Sequence, residues 1–326
     1  MKKVFLIAIA GALVLCASCN KEPQASASRE GEVVVDIEGL PIVMTKAGET
    51  EYQTDNEKKI SQIDIAVYDA SGVLEWHKHY TDNRTSRRQT ITGLTVGKKT
   101  IAVVANYTFE MPATLTALQT LASDLKDNSR SNFVMSGFAD AVASANPEPV
   151  SLKLQRVCAK FLVDGVIRTE WDGDAPLSFD ITDIYLANAA TASTFTYNGT
   201  AGPSINLRTS VELTDDTVYR GLTVAPKMSW TPGSQYNNGL SFYAYPNSDG
   251  ARTCVMIKAM YEDEVTYYPL VIPQEIRNNT LYRIGDITIT CQGVDNPWED
   301  FTKVKVVFDI EVVDWDYNEI YPEFEF

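Results

Sequence analysis

His77-Lys78-His79 holds the only two imidazoles in the chain, and it is the first place to look for chemistry. An H-x-H pair on a strand puts both rings on one face and offers two metal ligands. Two ligands do not make a site, and no Asp or Glu beside them completes it. The pair reads as an exposed strand face, with no metal expected. Asp172-Gly173-Asp174 and the run Asp295 to Asp300 bring carboxylates together, yet neither follows an EF-hand loop, so both read as turns. No nucleophile elbow, phosphate loop or dinucleotide fingerprint is present. Without a further histidine, a Ser-His-Asp or Cys-His engine lacks its base. The expectation is a chain with no catalytic residues and no cofactor, and not an enzyme.

The thiols say more. Of five cysteines, Cys158, Cys254 and Cys291 are widely spaced and form neither a disulfide framework nor a CxxC metal motif. One bridge between strands and buried free thiols both fit, with free thiols preferred. Cys16 and Cys19 belong to a different story. Met1-Lys2-Lys3 is basic, Val4 to Val14 is an apolar run, and Ala17-Ser18 are small residues before Cys19. That is a cleavable export signal over residues 1–18, too short to span a bilayer. Its end resembles a bacterial lipobox. Cys19 would be the first mature residue, acylated (diacylglycerol, palmitate) and held in the outer membrane by lipid. Cys16 suits that role less well, because bulky Leu15 precedes it, and it stands where lipoboxes usually carry Leu.

A formal net charge of −15 argues against nucleic acid as a partner, since that binding needs a basic face. The 16 tyrosines and few methionines favour sheets. After a polar tether, Val33, Val35 and Ile37 alternate on one face of a strand over Glu32 to Glu38. Gly39 to Lys59 is polar and poorly patterned. Strands follow at Ser61 to Tyr68 and Val73 to Tyr80, joined by a turn at Asp69 to Gly72, then at Gln89 to Leu94 and Thr100 to Ala105. Leu115 to Leu125 has helical spacing, with Thr114 as cap. Two prolines at Pro147 and Pro149 mark a boundary. Beyond it the pattern predicts strands at Val150 to Leu154, Val157 to Val166, Ser178 to Ala187, Val218 to Val224 and Leu240 to Tyr245. Thr253 to Tyr261, Val265 to Ile272, Thr280 to Thr290 and Lys303 to Val313 complete the series. So many short strands with one helix predict an all-β chain of β-sandwiches. The expected units are residues 19–46, 47–148 and 149–326.

Several fragments resemble the fimbrillins, the major fimbrial subunits of type V pili. They are Ile60 to Asp69, Lys99 to Asn106, Leu152-Lys153-Leu154-Gln155-Arg156-Val157-Cys158-Ala159-Lys160, Tyr243 to Asn247, Ile276 to Tyr282 and Val312 to Trp315. The resemblance implies two tandem transthyretin-like β-sandwiches. It also implies a structural subunit of surface fimbriae whose partners are other fimbrial subunits.

The resemblance further implies assembly by strand exchange. An N-terminal plug strand, here Val33, Val35 and Ile37, would be cut away by a trypsin-like protease. Lys46-Ala47 stands where the family has an Arg-containing site, and an Arg-specific protease cuts Lys poorly. Two outcomes stay open: the plug remains, as in an anchor subunit, or a more tolerant protease acts. Ile320, Phe324 and Phe326 share one face of a C-terminal segment (319–326) that would serve as donor strand or close its own domain. The alternative function is a surface lipoprotein that does not polymerise and binds a glycan or a host or bacterial surface ligand. Trp76, Trp171 and Trp298 would then be its exposed stacking residues.

Overall fold

The computed structural model describes residues 30–38, 57, 59–81, 88–190, 192–196, 206–207, 233, 239–246, 253–272, 275–296 and 306–315. It is all-β, with one short α-helix among the described residues. The first half contains β1 (Gly31–Glu38), β2 (Ile63–Asp69), β3 (Leu74–Tyr80), β4 (Arg88–Leu94) and β5 (Gly97–Ala105). Then follow α1 (Leu115–Thr120), β6 (Ala122–Asp124), β7 (Met135–Ala143), β8 (Val150–Lys153) and β9 (Gln155–Arg156). Two sheets face each other, one in the order β4-β1-β8 and the other β3-β2-β5-β7-β9. Val33, Val35, Ile37, Ile91 and Leu152 meet Ile65, Val67, Ile101 and Val103 in one buried cluster. The turn after β2 is built by Asp69, whose Oδ1 accepts from the amides of Ser71 and Val73 at 2.8 and 2.9 Å, while Gly72 takes φ +77°. The Tyr68 hydroxyl donates to the Pro112 carbonyl at 3.0 Å, so the chain leading into α1 covers the second face of β2.

The second half holds β10 (Ala159–Val163), β11 (Ile167–Thr169), β12 (Phe179–Ala187), β13 (Ala189–Ala190), β14 (Ala192–Thr194) and β15 (Asn206–Leu207). It ends with β16 (Leu240–Ala244), β17 (Cys254–Tyr261), β18 (Glu264–Val271), β19 (Thr280–Ile289) and β20 (Val306–Asp314). β10 and β11 both run parallel to β19, β20 pairs antiparallel with β19, and β16 closes the other edge. The sheet β12-β17-β18 contributes Ile184, Val255, Ile257 and Leu270 to a second cluster with Phe161, Phe242 and Tyr282.

Three sequence expectations change. The helix stops at Thr120, because residues 122–124 pair with β14 as strand β6. The long strand β7 was not foreseen: its Ser-Gly-Phe-Ala-Asp-Ala run lacks the β-branched residues that mark strands. Gly137 in it is required by close approach, since a Cβ there would lie 2.5 Å from the Lys153 carbonyl oxygen. Finally, sheet pairing crosses the proline boundary. β8 pairs with β1 and β9 with β7, so residues 150–156 belong to the first pair of sheets. Cys158, Cys254 and Cys291 are all free thiols, the first two buried. The expected strand Val218 to Val224 lies outside the described residues.

Candidate functional site

β1 is the middle strand of its sheet, and its alternation is complete: every second residue from Gly31 to Ile37 is buried. Val33, Val35 and Ile37 are at most 1% exposed. On one side β1 runs antiparallel to β4, with Val33 opposite Ile91 and Val35 opposite Gln89. On the other it runs parallel to β8, with Val35 opposite Val150 and Ile37 opposite Leu152. The pairing extends past both ends. Glu32 and Ser144 exchange backbone hydrogen bonds of 2.9 and 3.2 Å, and the Leu154 amide donates to the Glu38 carbonyl at 2.9 Å. The outward side chains add little: Asp36 and Arg88 form an exposed pair at 3.3 Å, and Ser151 donates to the Glu38 carboxylate. What holds β1 is apolar burial and two ladders of backbone bonds. Without it, an apolar groove and two unpaired strand edges would remain.

The next described residue, Glu57, lies at a second buried site. Lys160 Nζ lies 2.8 and 3.0 Å from the two Glu57 carboxylate oxygens, and the Tyr243 hydroxyl donates to the same carboxylate. Arg156 donates Nε and Nη2 to the Glu57 carbonyl at 3.2 and 3.1 Å. The Arg156 guanidinium stacks over the Trp315 ring, 4.5 Å from its centroid, and Tyr243 and Phe133 pack around that indole. Asn279, at φ +47°, accepts from the Trp315 amide at 3.0 Å and donates its own amide to the Cys158 carbonyl at 2.8 Å. Burial pushes the Lys160 ammonium below the usual lysine range, against the pull of Glu57, and burial with the neighbouring Glu57 charge pushes the Tyr243 hydroxyl up. The Glu57 carboxylate is fully hydrogen-bonded within a packed, buried ion pair, while the buried Trp315 indole N–H beside it has no hydrogen-bond partner among the described residues; the arrangement reads as a structural group.

Four of the weak sequence fragments therefore converge on one place. Arg156 and Lys160, Tyr243, Asn279 and Trp315 come from separate stretches of the chain and meet around Glu57. The family model for the major fimbrial subunit protein (FimA) matches residues 32–215, more than half of the chain. The chain belongs to the major fimbrial subunit family. This is a family of structural subunits, not of enzymes, and it places the protein in a cell-surface fimbrium with other fimbrial subunits as partners.

Solved structures agree on the fold. A candidate cell adhesion protein from Bacteroides eggerthii aligns with a TM-score of 0.66 at 16% identity, covering 88% of this chain and 97% of its own. One from Parabacteroides distasonis gives 0.60 at 18%, with 88% and 97% covered. The fimbrilin from Porphyromonas gingivalis W83 gives 0.59 at 16%, with 88% and 98% covered. No curated protein matches the chain by sequence.

The other sequence candidates fall as follows. Cys19, Lys46, Ala47, Trp298, Ile320, Phe324 and Phe326 lie outside the described residues. His77 and His79 do have a carboxylate beside them, contrary to the sequence reading. Asp64 on the neighbouring strand lies 2.7 Å from His77 Nε2 and 2.9 Å from His79 Nδ1. Cross-strand pairing with β2 supplies it, a neighbour that adjacency in sequence does not show. Among the described residues, no group of three or more His, Cys, Asp or Glu could hold a metal ion. Trp76 and Trp171 are half-buried and packed against the cores, not exposed; Trp171 meets Phe179 and Tyr261 edge-on. Asp172-Gly173-Asp174 is an exposed bend.

Glu57 was missed in the sequence. It sits in a polar, unpatterned stretch, and its partners Arg156, Lys160 and Tyr243 lie 99, 103 and 186 residues away. No local signal marks such a residue.

Proposed function

We propose that this fimbrial subunit is exported as a lipoprotein on Cys19, folds with β1 as a built-in plug, and assembles when another strand takes the place of β1. The observation that carries the reading is β1 itself: a central strand with three buried side chains, joined to β2 only through residues 39–62. Hydrolysis of the Lys46–Ala47 peptide, giving a carboxylate on Lys46 and an amine on Ala47, would cut that connection. The segment 319–326, with Ile320, Phe324 and Phe326 on one face, is the proposed replacement from a neighbouring subunit. Like Val33, Val35 and Ile37, its apolar residues fall at even spacing, with Pro322 between Ile320 and Phe324 on the same face. The two larger of the three hydrophobic clusters among the described residues support two tandem sandwiches of the transthyretin type, the first reaching into the second half at Tyr243, Leu281 and Trp315, and strand pairing favours a division after Arg156 rather than at Pro149.

Mild trypsin treatment of the mature protein tests this. The expected result is a cut after Lys46, loss of the fragment that carries β1, and polymers in size-exclusion chromatography and electron microscopy. A chain ending at Glu319 should be cut but should not polymerise. If β1 stays with the body after the cut and no polymers form, the exchange is refuted and the protein is a subunit that keeps its plug.

A further inference from the structure

The connection between β1 and β2 contains a Lys58-Lys59 pair, by composition the most inviting trypsin-like site in it. Cutting there would release a longer piece than cutting at Lys46, and would take Glu57 with it. The described backbone on either side of Lys58 is pinned, at Glu57 and from Lys59 to Ser61. The Glu57 carbonyl accepts two hydrogen bonds from Arg156, and its carboxylate is buried against Lys160 and Tyr243. The carbonyl of the Lys59–Ile60 peptide accepts from Asn106 Nδ2 at 2.8 Å. At the next peptide along, the Ser61 amide donates to Asn106 Oδ1 at 2.8 Å, and Ile60 is 7% exposed. Asn106 is itself fixed, donating to the Phe133 carbonyl at 2.9 Å with φ +60°. A protease must draw the chain on both sides of the scissile bond into an extended shape, so a backbone held this way resists nicking even where its lysine is exposed.

We propose that the Glu57 clamp and Asn106 together set where the chain is processed. They shield Lys58-Lys59 from trypsin-like proteases and confine cutting to the N-terminal side of Glu57. The residue after the cut then stays tied to the body through Glu57, while β1 is set free. This rests on the reading of β1 as a removable plug, but the shielding is measured separately from it.

The test is limited trypsin digestion of the mature chain, with new N-termini followed by intact mass. Wild type should show Ala47 well before Lys59 or Ile60. Glu57→Ala and Asn106→Gly, the latter keeping a residue at ease with positive φ, should each raise cutting at Lys58-Lys59 by about tenfold or more relative to Lys46, because cleavage follows the population of opened chain. If either variant fails to fold, hydrogen exchange of the Ser61 amide in wild type decides, with slow exchange expected. Equal cutting at both places in wild type, unchanged ratios in folded variants, or a Ser61 amide exchanging as in open chain would each overturn the shield. Protected Lys58-Lys59 without release of β1 would leave the shield standing and sink the plug reading instead.

Discussion

Ile37→Ala tests how firmly β1 holds the first core. Ile37 is fully buried and lies opposite Leu152, itself fully buried, in the parallel ladder with β8. The substitution removes three carbons from water-free surroundings, about 2.4 kcal/mol at about 0.8 kcal/mol each. The cavity left between the two sheets adds to this, for a total of about 3–4 kcal/mol. In a unit of this size each kcal/mol lowers the melting temperature by roughly 2–4 °C, so a drop of about 6–16 °C is expected. Val34→Ala, on the outward face of the same strand, is the control and should change stability by no more than about 0.5 kcal/mol. Differential scanning calorimetry and urea unfolding read both. After a cut between β1 and β2, the same lost energy should appear as release of β1 faster by about a hundredfold or more. An Ile37→Ala protein within about 0.5 kcal/mol of wild type would refute the claim that β1 is an integral part of this core.

Gly137→Ala should push β7 from the β8–β9 chain, because its Cβ would lie 2.5 Å from the Lys153 carbonyl and 2.6 Å from Leu152 Cδ2; a loss of about 1–3 kcal/mol is expected in urea unfolding. Alkali should weaken the fold in a defined window. Burial pushes the Cys158 and Cys254 thiols from 9.0 to about 12, and the Tyr68 hydroxyl from 10.0 to about 12. The folded protein thus holds these protons longer than the unfolded chain, so stability is full below about pH 9 and falls as pH rises towards about 12, which urea midpoints across that range will show. At neutral pH, a thiol reagent should modify half-buried Cys291 in the native protein and reach Cys158 and Cys254 only on unfolding.

Much of this fold could be read from the sequence where the pattern was local. The alternation of Val33, Val35 and Ile37, the Asp69 to Gly72 turn and most strands of the second half lie where period and turn chemistry put them. What escaped depends on distant partners. β7 is made a strand by pairing with β5 along nine residues, and β6 by pairing with β14 some seventy residues later. The prolines at residues 147 and 149 separate β7 from β8, and β8 pairs back with β1, a partner more than a hundred residues earlier that local pattern does not show. Asp64 reaches His77 and His79 only through strand register, and Glu57 finds Lys160 only in the folded chain. The fragments that carried the family resemblance marked the right residues without saying that they touch.

The two edges of the β1 groove have opposite sense, antiparallel at β4 and parallel at β8. A strand laid in backwards would have to run parallel to β4 and antiparallel to β8, and would lose both hydrogen-bond patterns. The groove therefore reads direction as well as side chains. If one copy fills the groove of another, the surface that gives differs from the surface that receives. Such contacts build a closed ring or a reciprocal pair where the rotation closes, and an open chain where it does not. In an open chain every copy would point the same way, and the polarity of that chain would be set by the mixed strand directions of one sheet in the single subunit.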